Sequence, residues 1–537
     1  MSSPAGMVLL AILAAGAILR APGLASIPPY LNPDEAIQGL QGAALRHGES
    51  LPADRWNPFP RWPVWCALEA GSTGLLGDSV AAIRLPAVLA GLFAVWLAFP
   101  VGRLLAGTGA GLAAAAFLSL SFWHVIASRV ALPCVLVTAE TLAIGLLLLR
   151  PAPLSWKAGV AAAVISGVAS LGYAASLVTP LLALFFVVLR LVTRPAGHRE
   201  WGMAGGFAAA GIPAAVAAVI SPVEGLIRTG VVGLHTPAEL AQQGLFTIAN
   251  FFLPVSAPWG YYSNVPPGAP RFAPAEAILL SVGAFALVRG TGPARWLRVA
   301  LAGWLLLSIV PEVAGGGGIH LIRGLPLLAP AVLIAGLGAS WAIRLFGRAG
   351  GAAVAVILLL GGVHTGVRTF GPGAAYRAAA SWPSVVEGRA AGRLLDLAGR
   401  GKLALYPPPD YARSPVLMFH LLDAIREGRI TGTPREPVHP RVIETFRDPA
   451  DGQPAVLLLA SSQPLSGRVH AGLVGVSLLL APGREALRQG RFGEAAAIFG
   501  ATLALAPDSA AACDLLRRAL SAQKRSSVQS PGSRVTN

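Results

Sequence analysis

Asp34 and Glu35 stand side by side in NPDEAIQGL (residues 32–40), in a chain that carries 25 Asp and Glu among 537 residues. A positioned carboxylate can take the proton of an attacking hydroxyl. It can also stabilise the first turn of a helix, where the helix dipole favours negative charge. Both readings are open for this pair. The stretch around it, residues 28–62, is rich in Pro and Trp (Pro28, Pro29, Pro33, Trp56, Pro58, Trp62), which fits an interfacial segment better than a plain connector.

Isolated cations recur at a few other places. Arg129 lies in HVIASRVALP, close in sequence to His124 and Ser128. It reads either as an anion contact or as an interfacial arginine with a buried stem. In GGGGIHLIRGLP, His320 and Arg323 are three apart and share one face of a helix start, a cradle for a phosphate or an interfacial anchor. His320 has no evident carboxylate partner, so it is not assigned as a base. Arg84 in AIRLPAV reads as a structural brace. Glu140 sits inside an apolar run, expected near the inner half of its span, where an ionisable residue is a functional candidate. The stretch 221–273 carries Trp259, Tyr261, Tyr262 and Arg271; the aromatics suit either a sugar ring or the membrane interface.

These residues are set among apolar segments. The chain is 54% hydrophobic and 12% charged, far from the roughly 25% charged of a soluble domain. The fold class is therefore a polytopic α-helical membrane protein of about eleven transmembrane helices, each needing about 18 or more apolar residues. Helices are expected near 6–27 (a retained helix), 80–104, 109–127, 131–150, 157–175, 177–193, 202–220, 274–290, 297–312, 322–343 and 349–369. With the N-terminus inside, the basic loops near 150–157, 194–200, 289–298 and 344–348 all fall on the cytoplasmic side. Residues 28–62, the Ser128–Arg129 turn, the 221–273 stretch, Glu312–Arg323 and everything after about 370 then face outward.

Net charge is +16, but Arg supplies nearly all of it, and no basic patch with interleaved aromatics points to nucleic acid. Three dispersed cysteines, Cys66, Cys134 and Cys513, give no disulfide framework and read as small buried hydrophobes.

Past residue 370 the pattern changes. Residues 371–475 alternate helix and strand signals, a small soluble α/β domain. In 476–522, Gly490, Ala495, Phe499, Leu503 and Pro507 sit where a tetratricopeptide repeat puts its small, aromatic and terminal residues. The tail 523–537 reads as disordered.

Four segments in order, PPYLNPDEAIQGLQGAALRHGE (28–49), LLGDSVAAIRLPAVLAGLFAVWL (75–97), SFWHVIASRVALP (121–133) and IHLIRGLPLLAP (319–330), make about residues 7–370, within a membrane domain 1–370, resemble GT-C membrane glycosyltransferases. The resembling families are the bacterial dolichyl-phosphate-mannose and protein O-mannosyltransferases and the lipid A aminoarabinose transferases. The resemblance implies a polyprenyl-phosphate sugar donor, a glycan, lipid or protein acceptor, and transfer with inversion at the outer face of a bacterial inner membrane. It makes Asp34 the base and Glu35 its partner, puts Arg129, His320 and Arg323 at the lipid phosphate, and leaves Trp62, Trp259, Tyr261 and Tyr262 for acceptor or sugar. It allows a divalent metal, although no His/Asp/Glu spacing in the chain marks one. One departure stands out: where relatives carry a Glu before a Pro in the first outer loop, this chain has Trp62, in FPRWPVW. Two other readings fit the composition: a transporter or lipid flippase, expected to show internal repeats, and an inactive membrane scaffold whose tetratricopeptide-like segment recruits a protein partner.

Overall fold

The computed structural model describes residues 3–28, 31–49, 63–193, 197–220, 236–253, 271–290, 293–314, 322–371, 383–399, 403–406, 415–432, 440–447, 454–461 and 469–529. The chain divides into two units, Met1–Pro29 with Gln41–Ala379, and Tyr30–Leu40 with Ala380–Asn537.

The first unit is helical. Its elements are α1 (Pro4–Arg20), the second half of α2 (Pro33–His47), α3 (Pro63–Leu76), α4 (Val80–Ala106), α5 (Thr108–Leu120), the short α6 (Phe122–Ala127), α7 (Leu136–Leu148), α8 (Trp156–Ser170), α9 (Val178–Thr193) and α10 (His198–Ile220), followed by α11 (Pro237–Ala249), α12 (Pro274–Val288), α13 (Arg295–Ala314) and α14 (Leu328–Phe370). Among the described residues, four stretches are long and apolar enough to cross a membrane: Val80–Ala106, Ala175–Thr193, Arg295–Val313 and Leu325–Phe370. The last holds two helices, because Gly347 adopts φ 56° and breaks the helix between Arg344 and Arg348. That φ is open to Gly at little cost. Five further apolar helices of this unit, including α1, α5 and α12, are shorter.

Two helices differ from the sequence expectation. α3 lies between the expected spans, and α11 forms within the outward-facing 221–273 stretch, where no helix was expected. Conversely, the run 109–127 splits at Ser121 into α5 and α6. That break turns Trp123 and His124 into the bundle, both buried.

Close packing comes from small residues, as expected where apolar burial gives no drive between helices. A Cβ on Gly283 of α12 would strike the Ile334 carbonyl of α14, and one on Gly159 of α8 would strike that of Met203 on α10.

In the second unit, α15 (Pro383–Gly399), β1 (Leu403–Tyr406), α16 (Pro415–Arg426), β2 (Ile430–Gly432), β3 (Pro440–Arg447), β4 (Pro454–Ser461) and β5 (Val469–Gly475) build a five-stranded sheet in the order β2-β1-β5-β4-β3. β1 pairs in parallel with β2 and β5, whereas β4 is antiparallel to both neighbours. Ala391 and Leu394 of α15 and Leu417 and Leu421 of α16 share a core with Leu403, Leu405 and Ile430. Three helices follow, α17 (Val476–Arg488), α18 (Phe492–Leu505) and α19 (Ala510–Gln529), with Phe499 fully buried among Leu480, Ala486, Ala495 and Ala512. Cys66 and Cys134 are buried, but Cys513 is exposed on α19, because its neighbour Ala512 takes the inward position.

Candidate functional site

The Asp34-Glu35 pair belongs to the second unit and opens α2. Asn32 precedes the helix, and its Oδ1 accepts the Asp34 N–H at 2.7 Å. Glu35 Oε2 in turn accepts the Asn32 N–H at 2.9 Å. This reciprocal exchange satisfies two helix-start donors, as a capping box does. The two carboxylates are therefore unequal. Glu35 is fully buried and spends an oxygen on the cap, whereas Asp34 is half-buried. From Ala36 to Ala44 every residue of α2 is buried, Gln38 and Gln41 included, so the acids sit on a firmly packed helix.

In the first unit, the second half of α2 lies on α3. Cys66 Sγ donates to Gln41 Oε1 at 3.5 Å, and a Cβ on Gly42 would come within 2.9 Å of Glu69 Cβ. Glu69 is fully buried and accepts the Trp65 Nε1–H at 2.7 Å. The sequence reading passed over this carboxylate. Its only sequence signal was an acid in an otherwise apolar and small-residue helix.

Two buried arginines, Arg84 and Arg129, grip the segment after α1, and a third, Arg20, ties the end of α1 to α5 and α6. Arg129 directs Nε, Nη1 and Nη2 at the carbonyls of Ile27, Leu19, Arg20 and Pro22, in five contacts of 2.7–3.2 Å. A guanidinium has five N–H donors, so all are directed at backbone. In this arrangement Arg129 clamps the backbone of that segment. Arg84 donates to the carbonyls of Leu24 and Pro28, both at 3.0 Å, which is the bracing role. Arg20, missed from sequence, donates to Ser119 O at 2.9 Å and meets His124 Nδ1 at 2.9 Å.

A second polar cluster forms at the other side of α6. Arg271 and Glu312 make an ion pair with both side chains fully buried. Arg271 Nε donates to Asn250 Oδ1 at 3.1 Å, and its guanidinium lies 4.7 Å from the Trp123 ring centre and 5.8 Å from that of Phe251. Phe272 packs edge-on to Trp123. Gly324 is moulded to the pair, since a Cβ there would strike Arg271 Nη1 and lie 2.7 Å from Glu312 Oε2. The next residue, Leu325, offers its carbonyl to Thr138 Oγ1 at 3.4 Å. Arg323, half-buried, sits on this turn beside Gly324.

Glu140 departs from its expected depth. It is the fifth residue of α7, and Thr179 Oγ1, at the start of α9, donates to its Oε2 at 3.4 Å. It thus lies toward the end of the bundle that carries the Ser128–Arg129 turn, not the opposite half. His320, Trp62, Trp259, Tyr261 and Tyr262 lie outside the described residues. Among the described residues no group of three or more His, Cys, Asp or Glu converges as a metal site.

The first unit is a bundle of apolar helices with buried arginines, and the second unit carries the two carboxylates on a capped helix start. Residues 58–232 match the family described as Dolichyl-phosphate-mannose-protein mannosyltransferase. The likeness to GT-C membrane glycosyltransferases is thus found over α3–α10, a segment that begins after Asp34 and Glu35. Among curated proteins none matches. Of solved structures, ArnT from Cupriavidus metallidurans in the apo state is 16% identical, over 80% of this chain and 90% of that one, with TM-score 0.47. The Archaeoglobus fulgidus oligosaccharyltransferase is 11% identical, over 81% and 65%, with TM-score 0.47. Arabinofuranosyltransferase AftD from Mycobacteria is 16% identical, over 75% and 29%, with TM-score 0.41.

Proposed function

We propose that the chain is an integral membrane glycosyltransferase that moves a sugar from a polyprenyl-phosphate donor to an acceptor hydroxyl on the extracytoplasmic face, with inversion. The observation that carries this reading is the inequality of the two carboxylates: Glu35 is buried in the helix cap and Asp34 is half-buried at the tip of the same packed helix. The family matched over residues 58–232, whose description names a dolichyl-phosphate sugar, supports the donor class.

The chemistry follows from that placement. Asp34 accepts the acceptor's hydroxyl proton as the oxygen attacks the anomeric carbon. The bond from that carbon to the phosphate oxygen breaks, and the electron pair leaves on the lipid phosphate. Because the phosphate is already a weak base, no general acid is required of the protein. Charge growing on the phosphate needs donors held in place beforehand. Arg323 and His320 are the proposed donors, with Arg129 reassigned to holding the segment that leads to α2. Glu35 orients α2 and does not touch the reacting atoms. Trp62, Trp259, Tyr261 and Tyr262 are proposed sugar or acceptor contacts, and the three helices α17–α19 a tetratricopeptide-like surface for a protein partner.

The test uses purified protein in lipid, radiolabelled polyprenyl-phosphate hexoses and a membrane extract as acceptor source. Wild type should transfer label. Asp34→Asn, folded to the same melting temperature, should lose transfer by a factor of about 10² to 10⁴, the usual worth of a positioned base. Full activity in Asp34→Asn would overturn the role of Asp34.

A further inference from the structure

Three polar side-chain groups that are fully buried lack any partner among the described residues, and they lie on adjoining elements. They are Nη1 of Arg271, Oγ1 of Thr247 and Oγ of Ser308. Buried donors and hydroxyls left unpaired cost about 1–3 kcal/mol each, so a native structure keeps them only where something else fills the need.

Their placement is tightly connected. Ser308 and Glu312 are four apart on α13, and hence neighbours on one helix face. Thr247 and Asn250 are three apart at the end of α11, which packs against α13. The inward direction of both hydroxyls is fixed by their neighbours. Leu245 and Ile248 flank Thr247 at 69% and 46% exposure, and Leu306 and Val310 flank Ser308 at 66% and 45%, while Thr247 and Ser308 are at 0%. Arg271 joins the two helices, holding Asn250 with Nε and Glu312 with Nη2. Trp123 and Phe251 wall its guanidinium, and Gly324 keeps backbone, with no Cβ, beside Nη1.

We infer that this seam between α11 and α13 binds the neutral, hydroxyl-bearing sugar of the donor, with Arg271 Nη1, Ser308 and Thr247 as its hydrogen-bond partners. The inference rests on the glycosyltransferase reading above. Charge decides sugar over phosphate. Arg271 is already neutralised by Glu312, and a phosphate brought to this seam would meet the Glu312 carboxylate at close range. A polyol meets two hydroxyls that donate and accept, the N–H donors of Arg271 Nη1 and flanking aromatic rings.

The experiment measures binding of mannosyl, glucosyl and galactosyl polyprenyl phosphates, and of bare polyprenyl phosphate, to the full chain in lipid. Wild type, Ser308→Ala and Thr247→Val are compared, two substitutions that remove a hydroxyl and no protein hydrogen bond. Wild type should prefer at least one sugar-bearing lipid over the bare one. Each variant should lose about tenfold of that preference, with affinity for bare lipid phosphate unchanged, the scale expected when a bound hydroxyl loses one partner. Without ligand, both variants should melt no lower than wild type, since an unpaired hydroxyl has gone. If wild type binds no polyprenyl phosphate of any kind, the glycosyltransferase reading and this inference fall together. If wild type prefers the sugar lipids and both variants keep the full preference, or if wild type binds all lipids equally, the inference alone is overturned and the seam holds only water.

Discussion

Glu35 accepts the N–H of Asn32 at 2.9 Å while Asn32 Oδ1 accepts that of Asp34 at 2.7 Å, so two neighbouring acids have parted into a cap and a half-buried carboxylate. Glu35→Ala should therefore lower stability by about 1 kcal/mol, the usual worth of a helix cap. Glu35→Gln, whose amide oxygen still accepts the Asn32 N–H, should keep both fold and transfer within a few-fold of wild type. Melting temperature and initial rate measured on the same preparations check this. A Glu35→Gln protein as inactive as Asp34→Asn would return Glu35 to the chemistry.

The arginine clamp makes a different kind of prediction. Arg129→Ala leaves four carbonyls that accepted from a charged donor without it, inside the bundle. At about 1 kcal/mol for each abandoned acceptor, the loss should be about 3–5 kcal/mol, read as a fall in the monodisperse fraction on heating. Arg129→Lys should recover less than half of this, because an ammonium has three donors and no planar fork. If Arg129→Ala folds normally and instead weakens binding of bare polyprenyl phosphate, the phosphate role first expected for Arg129 is restored.

The fate of these residues marks where sequence reading ends. The apolar spans were legible because a bilayer demands length and composition, and a run such as 80–104 reappears as Val80–Ala106. Gly347 was legible in effect, since the basic residues around it marked a turn. α3 was not: its fourteen residues are too few for a span, and Glu69, Ser72 and Thr73 interrupt its apolar pattern. Nor was the work of Arg20, Arg84 and Arg129. A side chain bonded to distant carbonyls, such as Arg129 to Leu19 across the chain, leaves no periodic trace in the sequence. Of the site, the position and types of Asp34 and Glu35 were readable, while their division of labour depended on how Asn32 closes the helix. The partnership of Arg271 with Glu312 spans 41 residues, across α12 and into α13, so only the folded chain reveals it.

Neighbouring glycines on α10 give a test of close packing with a built-in control. A Cβ on Gly206 would strike the Trp156 carbonyl of α8, whereas nothing lies within 4 Å of one on Gly205. Gly206→Ala should cost about 1–3 kcal/mol, the range for overpacking. Gly205→Ala should be neutral or gain up to about 1 kcal/mol from helix propensity. Thermal unfolding of the two variants in one detergent settles it: equal effects would mean that α8 and α10 do not approach as closely as their glycines allow.

The buried pair of Arg271 and Glu312 should behave as a unit. Removing one partner strands the other's charge where both side chains are fully buried, so Arg271→Met or Glu312→Leu alone should cost about 3–5 kcal/mol. Removing both leaves no bare charge and places apolar side chains beside Trp123 and Phe251. The double variant should then regain most of the loss, giving a coupling energy of several kcal/mol in a double-mutant cycle. Stability and function separate here. If the pair exists to hold Gly324 and the turn bearing Arg323, the double variant should fold well and still transfer sugar poorly. Additive losses in the cycle would mean that each residue has its principal partner elsewhere, and a fully active double variant would reduce the pair to packing.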